Sequence, residues 1–247
     1  MRSAPWLIEQ PVAHRGLHDA AAGVMENTAS AFAAAVEGGY AMECDLQISA
    51  DGEAMVFHDD TLDRLMEASG RVDGLTEVAL KSIRMRQGDD RMITLGELCD
   101  LVAGRRPIVV EVKASWSADR RLERRVADVL KTYKGPVAVM SFDPMSTASF
   151  RHLAPDLIRG VVLEHHYTDA EWDHLSGLKK FSLAHLLHWP ESQPDFLAWY
   201  VGDLHHATPR LARRLGVPTL TWTVRTAADQ ARAGLFADQM IFEGFRP

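Results

Sequence analysis

The sequence predicts an α/β protein that folds as a (β/α)8 TIM barrel, with a small insertion after the second strand hairpin. Short apolar runs alternate with helical patterns along most of the chain, which favours a parallel sheet covered by helices. Eight such runs fit within 247 residues, the usual length of a barrel of this kind. A doubly wound open sheet is the structural alternative, but the glycine-rich fingerprint of its dinucleotide-binding form is missing.

Each predicted strand is a short apolar or alternating run bounded by turn residues. In chain order the predicted strands are residues 12–14, 41–48, 108–113, 137–142, 159–163, 181–184, 219–224 and 239–242. Residues 59–91, which follow the second of these runs, are polar and charged with weak periodicity. We therefore predict one domain over residues 1–247, with an insertion at about 59–93 that forms a lid or small subdomain.

Helix starts are indicated by side chains that can accept hydrogen bonds from the first free N–H groups of a helix. Their apolar residues then recur at a spacing of three to four. The predicted starts are Asn27-Thr28, the capping box at 94–97, Ser117, Asp143-Pro144, a second capping box at 168–171, Thr208-Pro209 and Thr226.

Composition limits the classes of function. The net charge is −7, with 27 basic and 34 acidic residues, so general nucleic-acid binding is disfavoured. No apolar run approaches the roughly 20 residues that span a bilayer, and the first residues make a poor signal peptide, so we expect a cytoplasmic protein. Two cysteines do not form a disulfide framework. The oligomeric state is left open.

The segment ECDLQISADGEAMVFHDD, residues 43–60, places two acids in a run that otherwise resembles a buried strand. Asp51-Gly52 is a strong signal for a two-residue hairpin turn. With that turn, Asp45 lies opposite His58, and Glu43 points to the same face because side chains alternate along a strand. Cys44 and Leu46 then point toward the covering helices.

The same spacing recurs in Glu111 and Lys113, which share one face of the third predicted strand. His14 and Arg15 also stand at a strand end. Active sites of barrels lie at the C-terminal ends of the strands, so all these polar groups can converge on one mouth.

Three carboxylates, Glu43, Asp45 and Glu111, would make a hard oxygen site that suits Mg²⁺ or Ca²⁺. The alternative is that they form structural ion pairs with arginines, and that Lys113 merely neutralises Glu111. Arg15 and Lys113 suit an anionic substrate such as a phosphate. Histidines 14 and 58 could act as an acid and base pair, so phosphodiester cleavage is the predicted reaction.

An ordered set of motifs supports this prediction. It comprises HRG at 14–16, ENT at 26–28, ExD at 43–45, HDDTLDR at 58–64, TLGEL at 94–98, EVK at 111–113, SFDP at 141–144 and WTV at 222–224. In order and spacing the set resembles the glycerophosphodiester phosphodiesterase family, of the phospholipase-C-like phosphodiesterase superfamily, along nearly the whole chain.

The resemblance implies a (β/α)8 barrel that uses a divalent metal ion, Mg²⁺ or Ca²⁺, to hydrolyse glycerophosphodiesters to glycerol 3-phosphate and an alcohol. It also implies a role for each matching residue. These are His14 and His58 as the catalytic pair, Glu43, Asp45 and Glu111 as metal ligands, Arg15 and Lys113 as phosphate contacts, and Trp222 at the mouth near the glycerol or head group.

The chain departs from the family pattern in a few places. The family often closes with Ile-Thr-Asp, where this chain has Ile241-Phe242-Glu243. Residues 165–199 carry few family marks, and the histidines outside the motifs, among them His165, His166 and His206, are interpreted as surface or core residues. Two alternatives stay open for the function. One is a lysophospholipase D-like hydrolysis of lipid phosphodiesters, and the other is binding of phosphodiesters without catalysis.

Overall fold

Eight parallel strands pair edge to edge and return to the first, so the sheet is closed. The computed structural model describes residues 2–247. Its barrel strands run in the order β1-β2-β4-β5-β6-β7-β8-β9, and β9 pairs back with β1. The strand bounds are β1 Val12–Ala13, β2 Ala41–Ile48, β3 Ala54–Val56, β4 Ile108–Val112, β5 Val137–Ser141, β6 Ile158–Leu163, β7 Phe196–Tyr200, β8 Thr219–Val224 and β9 Gln239–Phe242. The predicted (β/α)8 barrel is thereby confirmed, and the open sheet is excluded.

Helices follow the barrel strands, as the alternating pattern predicts. Their bounds are α1 Ala29–Gly38, α2 Glu77–Ser82, α3 Leu95–Val102, α4 Arg121–Leu130, α5 Pro144–Leu153, α6 Gly177–Ala184, α7 Trp189–Ser192, α8 Ala207–Arg214 and α9 Ala227–Phe236. No helix within residues 2–247 is both long and apolar enough to cross a bilayer.

The period-2 alternation of the strands divides the apolar residues into two cores. One core fills the barrel interior with a side chain from most strands, including Val12, Val109 and Phe196, and the N-terminal Leu7 packs into it. The other lies between the sheet and the helices and includes Cys44 and Leu46, as predicted. Because the interior is filled by these side chains, the polar residues of the predicted site lie at the C-terminal ends of the strands.

The predicted strand at residues 181–184 is wrong. These residues form the second half of α6 (Gly177–Ala184), whose first turn is capped by the Ser176 hydroxyl accepting the N–H of Lys179. The strand between β6 and β8 is β7 (Phe196–Tyr200) instead. A short apolar run reads alike as a strand or as a buried helical turn, so the tertiary pairing decides between them.

Four of the predicted helix starts are confirmed by their caps. The side chains of Thr28, Thr94, Asp143 and Thr226 each accept a backbone N–H of the first turn. Three starts differ from the prediction: α4 begins at Arg121 rather than near residue 117, the box at 168–171 gives only a 3-10 turn, and α8 begins at Ala207.

The hairpin after β2 has a register one residue away from the predicted one. Leu46 pairs with Val56 and Ile48 pairs with Ala54, because the loop contains three residues rather than two. The N–H of Ser49 donates to the carbonyl of Glu53, and Gly52 ends the loop with φ of +89°. A three-residue loop with glycine in the left-handed region is the second common way to close a hairpin.

Replacing Gly52 by alanine is expected to lower the free energy of unfolding by about 1 kcal/mol, because a β-carbon is strained at this positive φ. Urea denaturation at fixed pH measures the change. The matched control is Gly74→Ala, since a β-carbon at Gly74 likewise meets no neighbouring atom but the residue lies outside the left-handed region. An unchanged midpoint for Gly52→Ala would show that the loop does not have this conformation in solution.

Residues 59–93 build a small apolar cluster of their own beside the barrel. Leu62, Met66, Leu80 and Met85 pack there with Phe57, the residue that follows β3. The segment is therefore folded against the hairpin, next to the C-terminal ends of β2 and β4.

Candidate active site

All eight residues selected from the sequence line one cleft of about 920 Å³. The cleft lies at the C-terminal ends of the barrel strands. These residues are His14, Arg15, Glu43, Asp45, His58, Glu111, Lys113 and Trp222.

The three carboxylates form a compact, buried group. Asp45 of β2 is the register partner of Glu111 of β4, and Glu43 lies two residues before Asp45 on the same face. One oxygen from each carboxylate lies within 4.8 Å of the others. All three residues are less than a tenth exposed, so their charges depend on protein partners or on a bound cation.

Asp45 is the best neutralised of the three. Lys113 Nζ lies 2.6 Å from its Oδ1, Arg15 Nε lies 3.3 Å from its Oδ2, and the Asn27 amide donates to Oδ2 at 2.9 Å. Burial alone would raise the pKa of Asp45, but the opposing charges, of which Lys113 contributes most, hold it well below the usual value. Lys113 also lies 2.6 Å from Glu111 Oε1, so one ammonium group bridges two acids.

Glu43 lacks a comparable partner. Its Oε2 accepts the backbone N–H of Arg15 at 3.0 Å, while its Oε1 is buried without any hydrogen-bond partner. Burial, followed by the charges of Asp45 and Glu111, raises the pKa of Glu43 well above its usual value. An orphaned carboxylate oxygen beside two further carboxylates fits a hard divalent cation such as Mg²⁺ or Ca²⁺.

The turn after β1 presents Arg15 to this group. Arg15 has φ of +54°, which lets its N–H reach Glu43 while its guanidinium contacts Asp45 and Glu26. Gly16 follows with φ of +78°, and a β-carbon there would lie 2.8 Å from the β-carbon of Ala31 in α1. The glycine of the HRG motif therefore lets the turn pack directly on the helix.

His14 is held by an acid from the opposite end of the chain. Its Nδ1 lies 2.7 Å from Glu243 Oε2, and Arg225 donates to the same carboxylate at 2.9 Å. Burial is the largest influence on His14 and lowers the pKa of its imidazole, although Glu243 acts in the opposite sense. Burial would raise the pKa of Glu243, but His14 and Arg225 outweigh it and lower this pKa to about 2.

His58 has a similar arrangement. Its Nδ1 lies 2.7 Å from Asp59 Oδ1, and Arg64 pairs with Asp59 and with Glu26. The chain leaves strand geometry after Val56, and the Gln47 amide donates to the carbonyl of His58 at 3.1 Å. His58 thus reaches the cleft although the register that placed it opposite Asp45 is wrong.

Aromatic rings form one side of the mouth. The Trp222 indole N–H donates to the carbonyl of Ala198 at 3.0 Å, which fixes the ring at the rim. Phe142 packs edge-on against Trp222 at 5.5 Å and lies 4.8 Å from the ring of Trp172. Tyr200 completes this aromatic side and is 41% exposed.

Asn27, Asp59 and Arg225 have no site role in the sequence predictions, and Glu243 stands there only as a departure from the family ending. The sequence predicts Asn27 as part of a helix cap, but its buried amide hydrogen-bonds Asp45 and the cap is Thr28. Both Asn27 and Asp59 belong to quoted motifs, which was a usable signal. Arg225 has no such signal, since its contact with Glu243 depends on the loop after β8.

Fold and cleft together define a class of protein: a (β/α)8 barrel whose open end carries a buried carboxylate group able to hold a metal ion, between two histidines. Within that class the chain belongs to the glycerophosphoryl diester phosphodiesterase family, whose family model matches residues 14–240. The family resemblance of the sequence motifs is confirmed.

Curated relatives carry the same family name. A glycerophosphodiester phosphodiesterase of Caldanaerobacter subterraneus subsp. tengcongensis is 29% identical over 163 residues, which are 62% of this chain and 66% of the relative. A probable glycerophosphodiester phosphodiesterase 1 of Mycobacterium tuberculosis is 29% identical over 168 residues, or 58% of this chain and 60% of the relative. The matches thus cover less than two thirds of either relative.

Solved structures share the fold over a larger part of the chain. A phosphodiesterase from Oleispira antarctica, solved with the product sn-glycerol-3-phosphate, has a TM-score of 0.79 at 19% identity and covers 98% of this chain and 95% of its own. A glycerophosphodiester phosphodiesterase from Thermotoga maritima has a TM-score of 0.72 at 22% identity and covers 95% and 94% of the two chains. At these identities the likeness concerns the fold.

Proposed function

We propose that this protein hydrolyses glycerophosphodiesters to glycerol 3-phosphate and an alcohol, with a divalent metal ion and two histidines. The observation that carries the proposal is the buried carboxylate group with its orphaned Glu43 oxygen, set in one cleft with His14 and His58. Family membership gives the reaction class. In this proposal residues 1–247 act as one domain, with residues 59–93 as an insertion on it.

Glu43, Asp45 and Glu111 would hold the ion, and Mg²⁺ and Ca²⁺ both suit three carboxylates. When bound, such an ion supplies charge stabilisation for the oxygens of the phosphoryl group. Arg15 and Lys113 are already positioned by these acids, and they contribute positive charge toward the same phosphate.

His14 is assigned as the general base. Its Nδ1–H donates to the Glu243 carboxylate, so the imidazole presents Nε2 as an acceptor. Because burial lowers the pKa of His14, the ring is neutral at neutral pH and can take a proton from the attacking hydroxyl group.

His58 is assigned as the general acid. Its side chain is 31% exposed, whereas that of His14 is 11% exposed, so it stands nearer to the solvent into which an alcohol departs. As the new P–O bond forms, the bond from phosphorus to the alcohol oxygen breaks, and His58 gives its proton to that oxygen. The attacking group is either water or the neighbouring glycerol hydroxyl, and the second route gives a cyclic phosphate first.

A panel of glycerophosphodiesters tests this function. Glycerol 3-phosphate release from glycerophosphocholine, glycerophosphoethanolamine and glycerophosphoglycerol is measured with Mg²⁺, Ca²⁺ and Mn²⁺, and again after chelation. Release that requires one of these ions supports the proposal. Tight binding of the diesters without turnover with any of the ions would instead favour a non-catalytic binding protein.

Lysophospholipase D-like activity on lipid diesters is the second candidate, and the aromatic side of the mouth favours it. Phe142, Trp172 and Trp222 offer apolar surface next to the cleft, where part of an acyl chain could pack. Comparing a lysophospholipid with its deacylated analogue separates the two functions. Only lysophospholipase D-like activity predicts a higher kcat/KM for the acylated substrate.

Replacing Glu243 by glutamine is expected to lower kcat by a factor between about 10 and 10⁴, as for other residues that orient a catalytic imidazole. The amide can donate to Nδ1 and so stabilise the tautomer in which Nε2 carries the proton. Burial, the largest influence on His14, still lowers the pKa of its imidazole, and the substitution removes the Glu243 charge that opposes this effect, so the acid limb of kcat/KM should move to lower pH.

Glu243→Asp is the matched comparison, because it keeps the charge and shortens the reach. It should retain more activity than Glu243→Gln. A pH profile that does not move in Glu243→Gln would show that Glu243 does not act through His14.

A further inference from the structure

Three histidines and one aspartate meet outside the cleft, on two neighbouring loops. His165 and His166 follow β6, while Asp203 and His206 follow β7. None of these four residues lines the cleft of the carboxylate group. We call them the His3Asp cluster.

The polar atoms of the His3Asp cluster lie slightly farther apart than ligands around a metal ion. Asp203 Oδ1 lies 4.0 Å from His166 Nε2 and 3.7 Å from His206 Nε2, too far for hydrogen bonds. One ring nitrogen from each histidine lies within 4.8 Å of the others. Ligands at about 2.0–2.1 Å from a tetrahedral ion stand roughly 3.3–3.4 Å apart, so a contraction of a few tenths of an ångström would bring the Asp203 pairs to that spacing.

Two ring nitrogens of the cluster's histidines have no hydrogen-bond partner. His165 Nδ1 and His206 Nε2 are buried atoms with no hydrogen-bond partner, which is costly for polar groups. The second carboxylate oxygen of Asp203 is already engaged, because Oδ2 accepts the backbone N–H of His165 at 2.6 Å. Such an outer contact orients a ligand in many metal sites.

We propose that His165, His166, His206 and Asp203 form a second metal site, for a transition-metal ion of the Zn²⁺ class. Three imidazoles and one carboxylate are donors that suit Zn²⁺, whereas Mg²⁺ and Ca²⁺ prefer oxygen alone. Four protein ligands close the coordination shell, so the role is structural: the ion ties the loop after β6 to the loop after β7.

Metal binding requires one ring to move. The rings of His165 and His206 are stacked at 3.7 Å, with planes 13° apart. A nitrogen lone pair lies in the plane of its ring, so two stacked rings cannot both aim at one ion. One of them therefore rotates out of the stack on binding.

A metal ion that links these two loops would affect the cleft indirectly. Glu171, Trp172 and His174 belong to the same loop after β6, and all three line the cleft. Fixing this loop would fix the position of these three residues at the mouth of the cleft.

The test uses tag-free, metal-depleted protein, because a polyhistidine tag would bind Zn²⁺ itself. Zn²⁺ is titrated in the presence of millimolar Mg²⁺, and bound metal is counted by atomic spectroscopy after gel filtration. Co²⁺ is added separately, since its visible absorption distinguishes tetrahedral from octahedral coordination. We expect one equivalent of Zn²⁺ and a tetrahedral Co²⁺ spectrum.

Variants then locate the bound ion. His166→Gln is the main variant, because its side chain is 62% exposed and folding does not depend on it. Its Zn²⁺ affinity should fall by at least the roughly 10–100-fold that losing an outer partner costs. His206→Gln should behave alike, whereas His152→Gln, an exposed histidine elsewhere, should not change the affinity.

Glu43→Gln separates this site from the carboxylate group. The proposal expects Glu43→Gln to keep its equivalent of Zn²⁺ at full affinity. Zn²⁺ binding that is lost in Glu43→Gln and kept in His166→Gln would overturn the second site while leaving the proposed function intact. Absence of any Zn²⁺ binding at micromolar concentration would overturn it as well.

Discussion

Replacing His14 by alanine is expected to lower kcat for a glycerophosphodiester by a factor on the order of 10²–10⁴, the usual contribution of a general base. The side chain is 11% exposed and is oriented by Glu243 at 2.7 Å, so the substitution removes the imidazole that is aligned toward the cleft. Steady-state kinetics at saturating metal measures the change. Turnover close to that of the unsubstituted protein would refute the assigned mechanism.

Two comparisons make this result specific. His152→Ala removes an exposed histidine from α5 and should leave kcat unchanged, while near-ultraviolet circular dichroism confirms that each variant is folded.

His58→Ala should also lose activity toward glycerophosphodiesters. With a p-nitrophenyl phosphodiester, whose leaving group needs no proton, His58→Ala should recover much of its loss, and His14→Ala should not. Equal recovery in both variants would contradict the assignment of base and acid.

Replacing Glu43 by glutamine is expected to abolish stabilisation by the divalent ion and to lower kcat/KM on the order of 10³-fold, since a bound metal contributes several kcal/mol. The backbone N–H of Arg15 can still donate to the amide oxygen, so the local structure has reason to persist. Thermal unfolding with and without Mg²⁺ or Ca²⁺ measures the first effect. A cation-dependent rise of Tm that survives the substitution would remove Glu43 from the ligand set.

The same substitution should not destabilise the metal-free protein at neutral pH. Burial raises the folded-state pKa of Glu43, so its contribution to stability is present below its ordinary pKa of 4.5 and is lost as pH rises through the folded-state pKa. Glutamine has no such loss. Asp45→Asn is the comparison variant and should destabilise the metal-free protein. Although burial raises the folded-state pKa of Asp45, the charges of Lys113 and Arg15 lower it overall, and its carboxylate neutralises those two cations.

Asp45→Asn breaks the buried ion pair with Lys113, and it should lower the free energy of unfolding by about 3–5 kcal/mol. Urea unfolding in the presence of a chelator measures this loss. Equal stability losses for Glu43→Gln and Asp45→Asn would show that the two acids are neutralised alike.

The local patterns of the chain predicted most of the barrel, and together with the family resemblance they identified eight residues that line the cleft. Side chains alternate along any strand, so Glu43, Asp45, Glu111 and Lys113 had to share the inner face once their runs formed strands. The structure adds the register that pairs Asp45 with Glu111. Caps such as Thr28 and Thr94 depend on three or four consecutive residues, and for that reason they too were readable.

Contacts across the chain were decided by the tertiary structure. The hairpin register depends on a loop of three residues rather than two, and Asp51-Gly52 is compatible with both. Residues 181–184 are apolar enough for either a strand or a helix, and only the pairing of β6 with β7 settles the matter. Sequence periodicity decides neither the hairpin register nor the secondary structure of residues 181–184.

The partners of the two histidines show the same division. His14 was identified from its motif, but Glu243, which orients it, lies 229 residues away and was visible only as a departure from a familiar ending. His165, His166 and His206 were scattered histidines until two loops brought them to one place. The sequence by itself determined which faces are polar and which side chains they carry. Closure of the sheet decided which of those groups meet, because each barrel end gathers loops that are far apart in the chain.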